Sequence, residues 1–488
     1  MTVPVSRITE LNCQPHEAEG EFVLYWLTAN ARLRHNFALQ QAGEWAVRVQ
    51  KPLLIFHPLF CNDCSASKRH HFFQLQGMAD IASQLSDRFP HVVYYPFVEA
   101  TSGQAASLLQ ALADLACVVV CDNSTLQPSS ALQAQVAQQL KIKMETVDSN
   151  GLLPVVAAGK AYPSAVTFRR LLQRLLPAEL LQFPNTEPLA DLSCRERAMV
   201  PQAILERYPP LRREQLDKPE KILAELPINQ NIDPALQTGG CLAAQETLND
   251  FLDHKLCRYL DERNDPDADV CSQLSPYLHF GHISSHEIFL ALTASEEWSF
   301  GDQAIETHGR RSGWWHMSAA AEAFLDQFVT WRELGLNMCA HRSDYADYAS
   351  LPDWARATLD KHRQDLRPYR YTADEFDRAE THDPLWNAAQ RQLVRDGRIH
   401  NYLRMLWGKK ILEWSATPEE ALQIMIDLNN RYALDGCDPN SYSGIFWCLG
   451  RYDRPWPERP IYGKIRSMSS QNTARKVSVV RFLKEYGP

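Results

Sequence analysis

Residues 22–27 (FVLYWL), 53–56 (LLIF), 92–97 (VVYYPF), 116–121 (ACVVVC) and 154–158 (PVVAA) decide the fold of the first part of the chain. Each run is short, apolar and bounded by turn residues, which is the pattern of a buried strand. Between them lie stretches with helical spacing, such as 67–86 and 103–115. In the first of these, Phe72, Phe73, Leu75, Met78 and Ile81 recur at intervals that share one helix face. Strands alternating with helices predict an α/β domain over 21–175, a doubly wound, Rossmann-like parallel sheet. Residues 1–20 read as an N-terminal tail. No GxGxxG or GxxxxGK[ST] follows any of the strands, which argues against a dinucleotide or P-loop enzyme.

Working outward, residues 176–240 hold nine prolines in a polar stretch that ends at Thr238-Gly239-Gly240. This segment is expected to be an ordered interdomain linker. After 241 the strand signals vanish. Helical patterns run over 243–259, 285–294, 318–341, 354–362, 384–396, 400–414 and 418–432. Thr417, Pro418 and Glu420 supply an N-cap, an N1 proline and an N3 glutamate for the last. Residues 241–488 therefore predict an all-α domain, large enough to enclose a cofactor.

The 488-residue length suits roughly three units or, equally, two large ones, and 45% hydrophobic with 22% charged residues is ordinary globular composition. No apolar run approaches the roughly 18 residues of a membrane span, so no membrane association is expected. The N-terminus lacks an apolar signal region and a basic amphipathic stripe, and a cytoplasmic monomer is the expectation. The 12 cysteines are scattered and suggest reduced thiols. Cys61 and Cys64 form the CxxC, but no second pair accompanies it and no metal site is expected. Net charge is −9, yet residues 451–488 carry nine Lys or Arg against three acids. Such a stretch fits a phosphate-backbone footprint or a solvated helical face.

Trp407 and Trp414 lie seven apart on one predicted helix, with Trp386 on the preceding one. They fit core packing or a chain of oxidisable indoles, and spacing alone does not choose. SQLSPYLHFG (272–281) is a polar turn opening a helix, where hydroxyls and free N–H groups suit a phosphate or an ordinary cap. LNNRY (428–432) and LDGCDPN (434–440) place amides and carboxylates in apolar surroundings, and buried polar groups need partners.

RNDP (263–266), LSPYLHFG (274–281), THDPLWNAAQ (381–390), LRMLWGKKILEW (403–414), LDGCDPN and GKIR (463–466) together resemble the photolyase/cryptochrome family, specifically its class II cyclobutane pyrimidine dimer photolyases. The resemblance spans nearly the whole chain, weakly before 240 and strongly after 380. It implies an α/β antenna domain joined to a helical domain with noncovalent, U-shaped FAD. Photoexcited reduced flavin donates an electron to a pyrimidine dimer flipped out of DNA, the ring splits, and the electron returns. Carried over by motif, Tyr259, Ser272, Leu274, Ser275 and Leu278 match the segment holding the FAD phosphates. Asn429 matches the asparagine facing flavin N5, Arg404 and Asp435 an ion pair near the ring, and Asn440 the end of that loop. Trp407, Trp386 and Trp414 match the photoreduction tryptophans. Trp331 and Trp447 match aromatics that pack on the flipped dimer, and Arg454, Trp456 and Arg466 match a DNA-contacting tail. The implied partner is DNA containing pyrimidine dimers, which would make the protein nucleoid-associated. An antenna such as an 8-hydroxy-deazaflavin is a further family expectation.

The sequence also departs from the family. Gln327 stands where the family carries a glutamate that touches the dimer. The neighbouring Asp326 is no substitute, because adjacent helical residues point about 100° apart. Leu406 replaces a tyrosine before Trp407, and Thr28-Ala29-Asn30 replaces a more polar pattern. Two functions follow: a light-driven lyase for pyrimidine dimers, and a cryptochrome-like blue-light receptor that keeps FAD and the tryptophans but repairs weakly or not at all.

Overall fold

The computed structural model describes residues 2–62, 66–127 and 129–488. Six strands form one sheet: β1 (Ile8–Glu10), β2 (Phe22–Trp26), β3 (Leu53–Leu59), β4 (Val93–Val98), β5 (Ala116–Asp122) and β6 (Met144–Val147). Their order is β1-β6-β5-β2-β3-β4, with β1 antiparallel to β6 and the other pairings parallel. β2, β3 and β5 are buried at every residue, because both faces are covered, as parallel sheets require. Val23, Tyr25, Val118 and Val120 pack under Phe37, Leu39 and Trp45 on one face. Phe22, Leu24, Trp26 and Val119 pack under Leu108 and Leu112 on the other.

The structure departs from the sequence reading at three places. PVVAA is not a strand: Val155–Ala158 is a 3-10 turn, and its carbonyls and amides never join the sheet. The strand that does pair at that edge is β6, hidden in sequence by its charged Glu145. That carboxylate is buried because Trp45 Nε1 (2.8 Å) and Gln41 Nε2 (2.9 Å) donate to it. Residues 1–20 are not merely a tail. β1 caps the sheet edge, and buried Arg7 donates to the carbonyls of Asp148, Gly151 and Leu152. The proline-rich 176–240 segment packs rather than simply connects. Leu189 and Leu192 join one sheet-face core, and Leu216, Leu223 and Ile228 cover Leu75 and Met78.

Cys437 departs from the expectation of reduced thiols, since it is disulfide-bonded, whereas ten other cysteines are free. Cys64 of the CxxC lies outside the described residues.

Residues from 241 onward are helical. Pro384–Asp396, Asn401–Trp414 and Pro418–Tyr432 lie where periodicity and caps predict, and Thr417 accepts from the Glu420 amide at 3.1 Å. Two predicted helices are interrupted by π turns, Phe251–Lys255 and Asp326–Trp331. Such insertions re-aim side chains and gather at functional sites. Among the described residues no helix is long and apolar enough to cross a membrane.

Candidate active site

A cavity of about 500 Å³ is bounded by Ser275–His279, the π turn Asp326–Trp331, Asn401–Trp414, Pro439–Cys448 and Val480–Tyr486. Two glycines let the walls close. A Cβ on Gly335 would stand 2.8 Å from the Pro439 carbonyl, and one on Gly408 would stand 2.6 Å from Cys448 Sγ. The helices bearing Trp331 and Trp407 can therefore press against Pro439–Cys448.

Ten of the residues singled out from sequence meet on this wall: Tyr259, Ser272, Leu274, Ser275, Gln327, Trp331, Arg404, Asp435, Asn440 and Trp447. Arg404 Nη2 lies 3.1 Å from Asp435 Oδ1, and both side chains are largely shielded. The π turn separates Asp326 from Gln327. Asp326 turns inward and is held by Arg169 at 2.6 Å, while Gln327 faces the cavity. The buried tyrosine hydroxyl of Tyr259 is pushed well above its ordinary pKa by desolvation, so it stays protonated.

Leu278 and Asn429 are not on this wall. Leu278 lines a second cavity of about 160 Å³, with Thr28, Ala29 and His57, on the other side of the short Ser275–His279 helix. Asn429 is buried, and its Nδ2 donates to Ser441 Oγ at 2.7 Å. Trp386, Trp407 and Trp414 form part of the adjacent core and are all buried. Trp386 Nε1 donates to the Trp407 carbonyl (3.0 Å), Trp407 Nε1 donates to Gln390 Oε1 (2.8 Å), and the Trp386 and Trp414 rings are centred 6.0 Å apart. Arg454, Trp456 and Arg466 lie outside the cavity wall, with Arg454 exposed.

Sequence reasoning missed Arg311, Arg398, His400 and Arg481, which also line the cavity. The cluster of polar residues between the helices ending at Asp396 and starting at Asn401 is the signal that marks two of them. His400 Nδ1 is buried without a hydrogen-bond partner, and burial pulls this ring down to about 4, leaving it neutral at pH 7. A neutral ring nitrogen, two serine hydroxyls and Arg398 at one side of the cavity suit a polar dinucleotide. The Arg404–Asp435 pair and the indoles suit a heterocycle. The volume falls within the roughly 300–1,000 Å³ of cofactor pockets, so the residues present fit FAD. The second cavity, of about 160 Å³, is below that range.

Comparison with known proteins agrees with this geometry. Residues 23–188 match the family model described as DNA photolyase. A deoxyribodipyrimidine photo-lyase of Methanothermobacter thermautotrophicus is 34% identical over 99% of this chain and 98% of its own. That of Oryza sativa subsp. japonica is 34% identical over 95% and 87%, and that of Potorous tridactylus 30% over 99% and 84%. A bacterial class III photolyase from Agrobacterium tumefaciens shares the fold, with a TM-score of 0.67 and 16% identity over 96% of this chain and 86% of that one.

Proposed function

The chain belongs to the DNA photolyase family, and from that membership we propose that it is a light-driven lyase that splits cyclobutane pyrimidine dimers in DNA. What supports the reading most is that one cavity gathers Gln327, Trp331 and Trp447 with Arg404, Asp435 and the Ser272–Ser275 turn. FAD, when bound, supplies the photoexcited electron. The chain's own residues do the rest. Ser272, Ser275 and Arg398 would hold the FAD phosphate oxygens. The Arg404–Asp435 pair fixes the edge of the heterocycle without net charge. Trp331 and Trp447 stack on the flipped bases, a contact worth about 1–3 kcal/mol per base. Gln327 donates to a thymine carbonyl and accepts from a ring N–H. Trp407, Trp386 and Trp414 would supply oxidisable indoles in the core beside the cavity. Outside the cavity, Arg454 and Arg466 neutralise phosphates.

Gln327 itself favours a second reading, a cryptochrome-like receptor, because photoreduction needs the tryptophans and not a carboxylate. The deciding experiment follows a dimer-containing oligonucleotide under blue light and in the dark. Light-dependent loss of dimers with stoichiometric FAD is expected. FAD binding and photoreduction without repair would leave the receptor, and a protein that takes up no FAD would end both readings.

A further inference from the structure

Lys409 has no exposed surface. Its ammonium donates to the Cys448 carbonyl at 2.7 Å and is in no ion pair among the described residues. Burial lowers this lysine to about 8, which keeps it charged at neutral pH. Cys448, Asp453 and Arg466 are the ionisable groups that act on it. An isolated buried charge is costly, and the functions argued so far give it no task.

The ammonium stands over the Trp447 ring, 5.0 Å from its centroid. The guanidinium of Arg466 stands over the same indole at 5.9 Å and over Trp456 at 5.1 Å. Arg454 stands over Trp456 at 5.5 Å. Lys409, Trp447, Arg466, Trp456 and Arg454 thus alternate cation and ring from the interior to the surface. Gly408 brings Lys409 to this position by letting its helix touch Cys448. Among the described residues no cation stands over Trp407 or Trp386. Lys410 stands over Trp414 at 5.2 Å, but Glu413 at 2.6 Å offsets its charge.

We propose that Lys409 is a positioning residue for Trp447 and that, together with Arg466, it keeps this indole from giving an electron to the flavin. The proposal rests on the flavin reading above. Trp447 and Trp331 line the cavity and Trp407 does not, and of the two wall indoles Trp447 is the one with cations over it among the described residues. The step that is suppressed is the loss of one electron from Trp447, which leaves an indole radical cation, to photoexcited oxidised flavin, which takes that electron. Two cations hold the neutral ring by its quadrupole and repel the same ring once it is positive, strongly so away from water.

The test uses FAD-loaded full-length protein and transient absorption after a blue flash, followed by peptide mapping of oxidised tryptophan. Wild type should photoreduce and Trp407→Phe should lose most of that ability. Adding Lys409→Met to Trp407→Phe should restore fast indole oxidation, about tenfold or more above Trp407→Phe alone, which corresponds to a barrier change of about 1.4 kcal/mol. The oxidised residue should be Trp447, and a further Trp447→Phe should abolish the gain. Lys409→Arg, which keeps the charge, should behave as lysine. Should Lys409→Met fail to fold, Arg466→Gln in the Trp407→Phe background should give the same gain by removing the other cation over the ring. Proper photoreduction in wild type with no gain in either double variant overturns the proposal and leaves the flavin reading intact. A gain that survives Trp447→Phe also overturns it. A wild type that binds no FAD ends the flavin reading and this proposal with it.

Discussion

Gln327 is where one side chain decides between two functions. It faces the cavity from a π turn that sends its neighbour Asp326 inward to Arg169. A neutral amide there keeps the shape and both hydrogen bonds of the family's glutamate but supplies neither charge nor proton. Charge-assisted hydrogen bonds contribute about 1.5–3 kcal/mol against about 0.5–1.5 for neutral ones, and about 1.4 kcal/mol in a transition state is tenfold in rate. Repair by the wild type is therefore expected to be measurable, and Gln327→Glu to raise the yield per absorbed photon by up to about tenfold. FAD content and photoreduction should be unchanged. Full repair efficiency in wild type, compared at matched flavin occupancy with a glutamate-bearing relative, would show that the carboxylate is dispensable. The identity of Gln327 was legible in the sequence because it sits inside a recognisable run. That Asp326 points away from Gln327 was legible too, since adjacent helical residues diverge by about 100°; the π insertion was not, because it leaves no residue signature and a regular helix was the natural expectation for 318–341. Arg398 and His400 were missed for a related reason. They lie in a connecting loop, and only the closure of two distant helices brings that loop to the cavity.

At the level of elements, helices with strong periodicity and caps were readable, while the sheet edges were not. Glu145 hides β6 because a charged residue in a four-residue strand looks like a loop until Trp45 and Gln41 are seen to donate to it. The helices Pro384–Asp396 and Asn401–Trp414 lock together through the Trp386 indole and the Trp407 carbonyl, at 3.0 Å. Phe in place of either indole fills most of the volume and removes the oxidisable group. Trp407→Phe and Trp386→Phe should each keep FAD bound and slow photoreduction of oxidised flavin at least about tenfold, read as semiquinone build-up under steady blue light. Normal rates in both would return these residues to core packing. A second element-scale prediction concerns Glu333 on Arg332–His341, which accepts the Leu152 and Leu153 amides at 2.7 and 3.2 Å. Burial raises this carboxyl to about 7, more than those amides, Arg332 and Arg7 lower it. Since the folded protein holds this proton more tightly than the unfolded chain, its contribution to stability is complete below about pH 4.5 and is lost as pH rises through about 7, a change on the order of 3 kcal/mol. Denaturant midpoints between pH 5 and 8 should fall in wild type and stay flatter in Glu333→Gln; equal slopes would exclude Glu333 as the source.

For the whole molecule, net charge misleads and placement corrects it. The chain carries −9, and the basic count over 451–488 is itself only partly a surface property, since Arg451 is buried against the Tyr345 carbonyl. The acids of that stretch are engaged elsewhere: Glu458 by Lys361 and His362, Glu485 by Arg395, and Asp453 by the Trp456 indole. Arg454, Lys464, Arg466 and Arg481 are left outside any ion pair among the described residues, and Arg311, Arg398 and Arg481 stand on the cavity wall itself. A strand of DNA with one residue turned into the cavity would meet Arg454, Lys464 and Arg466 on its flanking phosphates. Composition read the sign of this patch correctly but not its membership, because burial of Arg451 is a tertiary fact. Affinity for dimer-containing DNA should fall with salt, each neutralised phosphate adding about −0.9 to the slope of log K against log salt. Arg466→Ala should reduce the magnitude of that slope by about one unit and weaken binding to damaged and undamaged duplexes alike, because a phosphate contact carries no base information. The measurement is a fluorescence-anisotropy titration at several salt concentrations in red light. An unchanged slope in Arg466→Ala would confine Arg466 to its place between Trp447 and Trp456. A wild-type affinity indifferent to salt would remove the basic stretch from DNA binding altogether and favour the receptor.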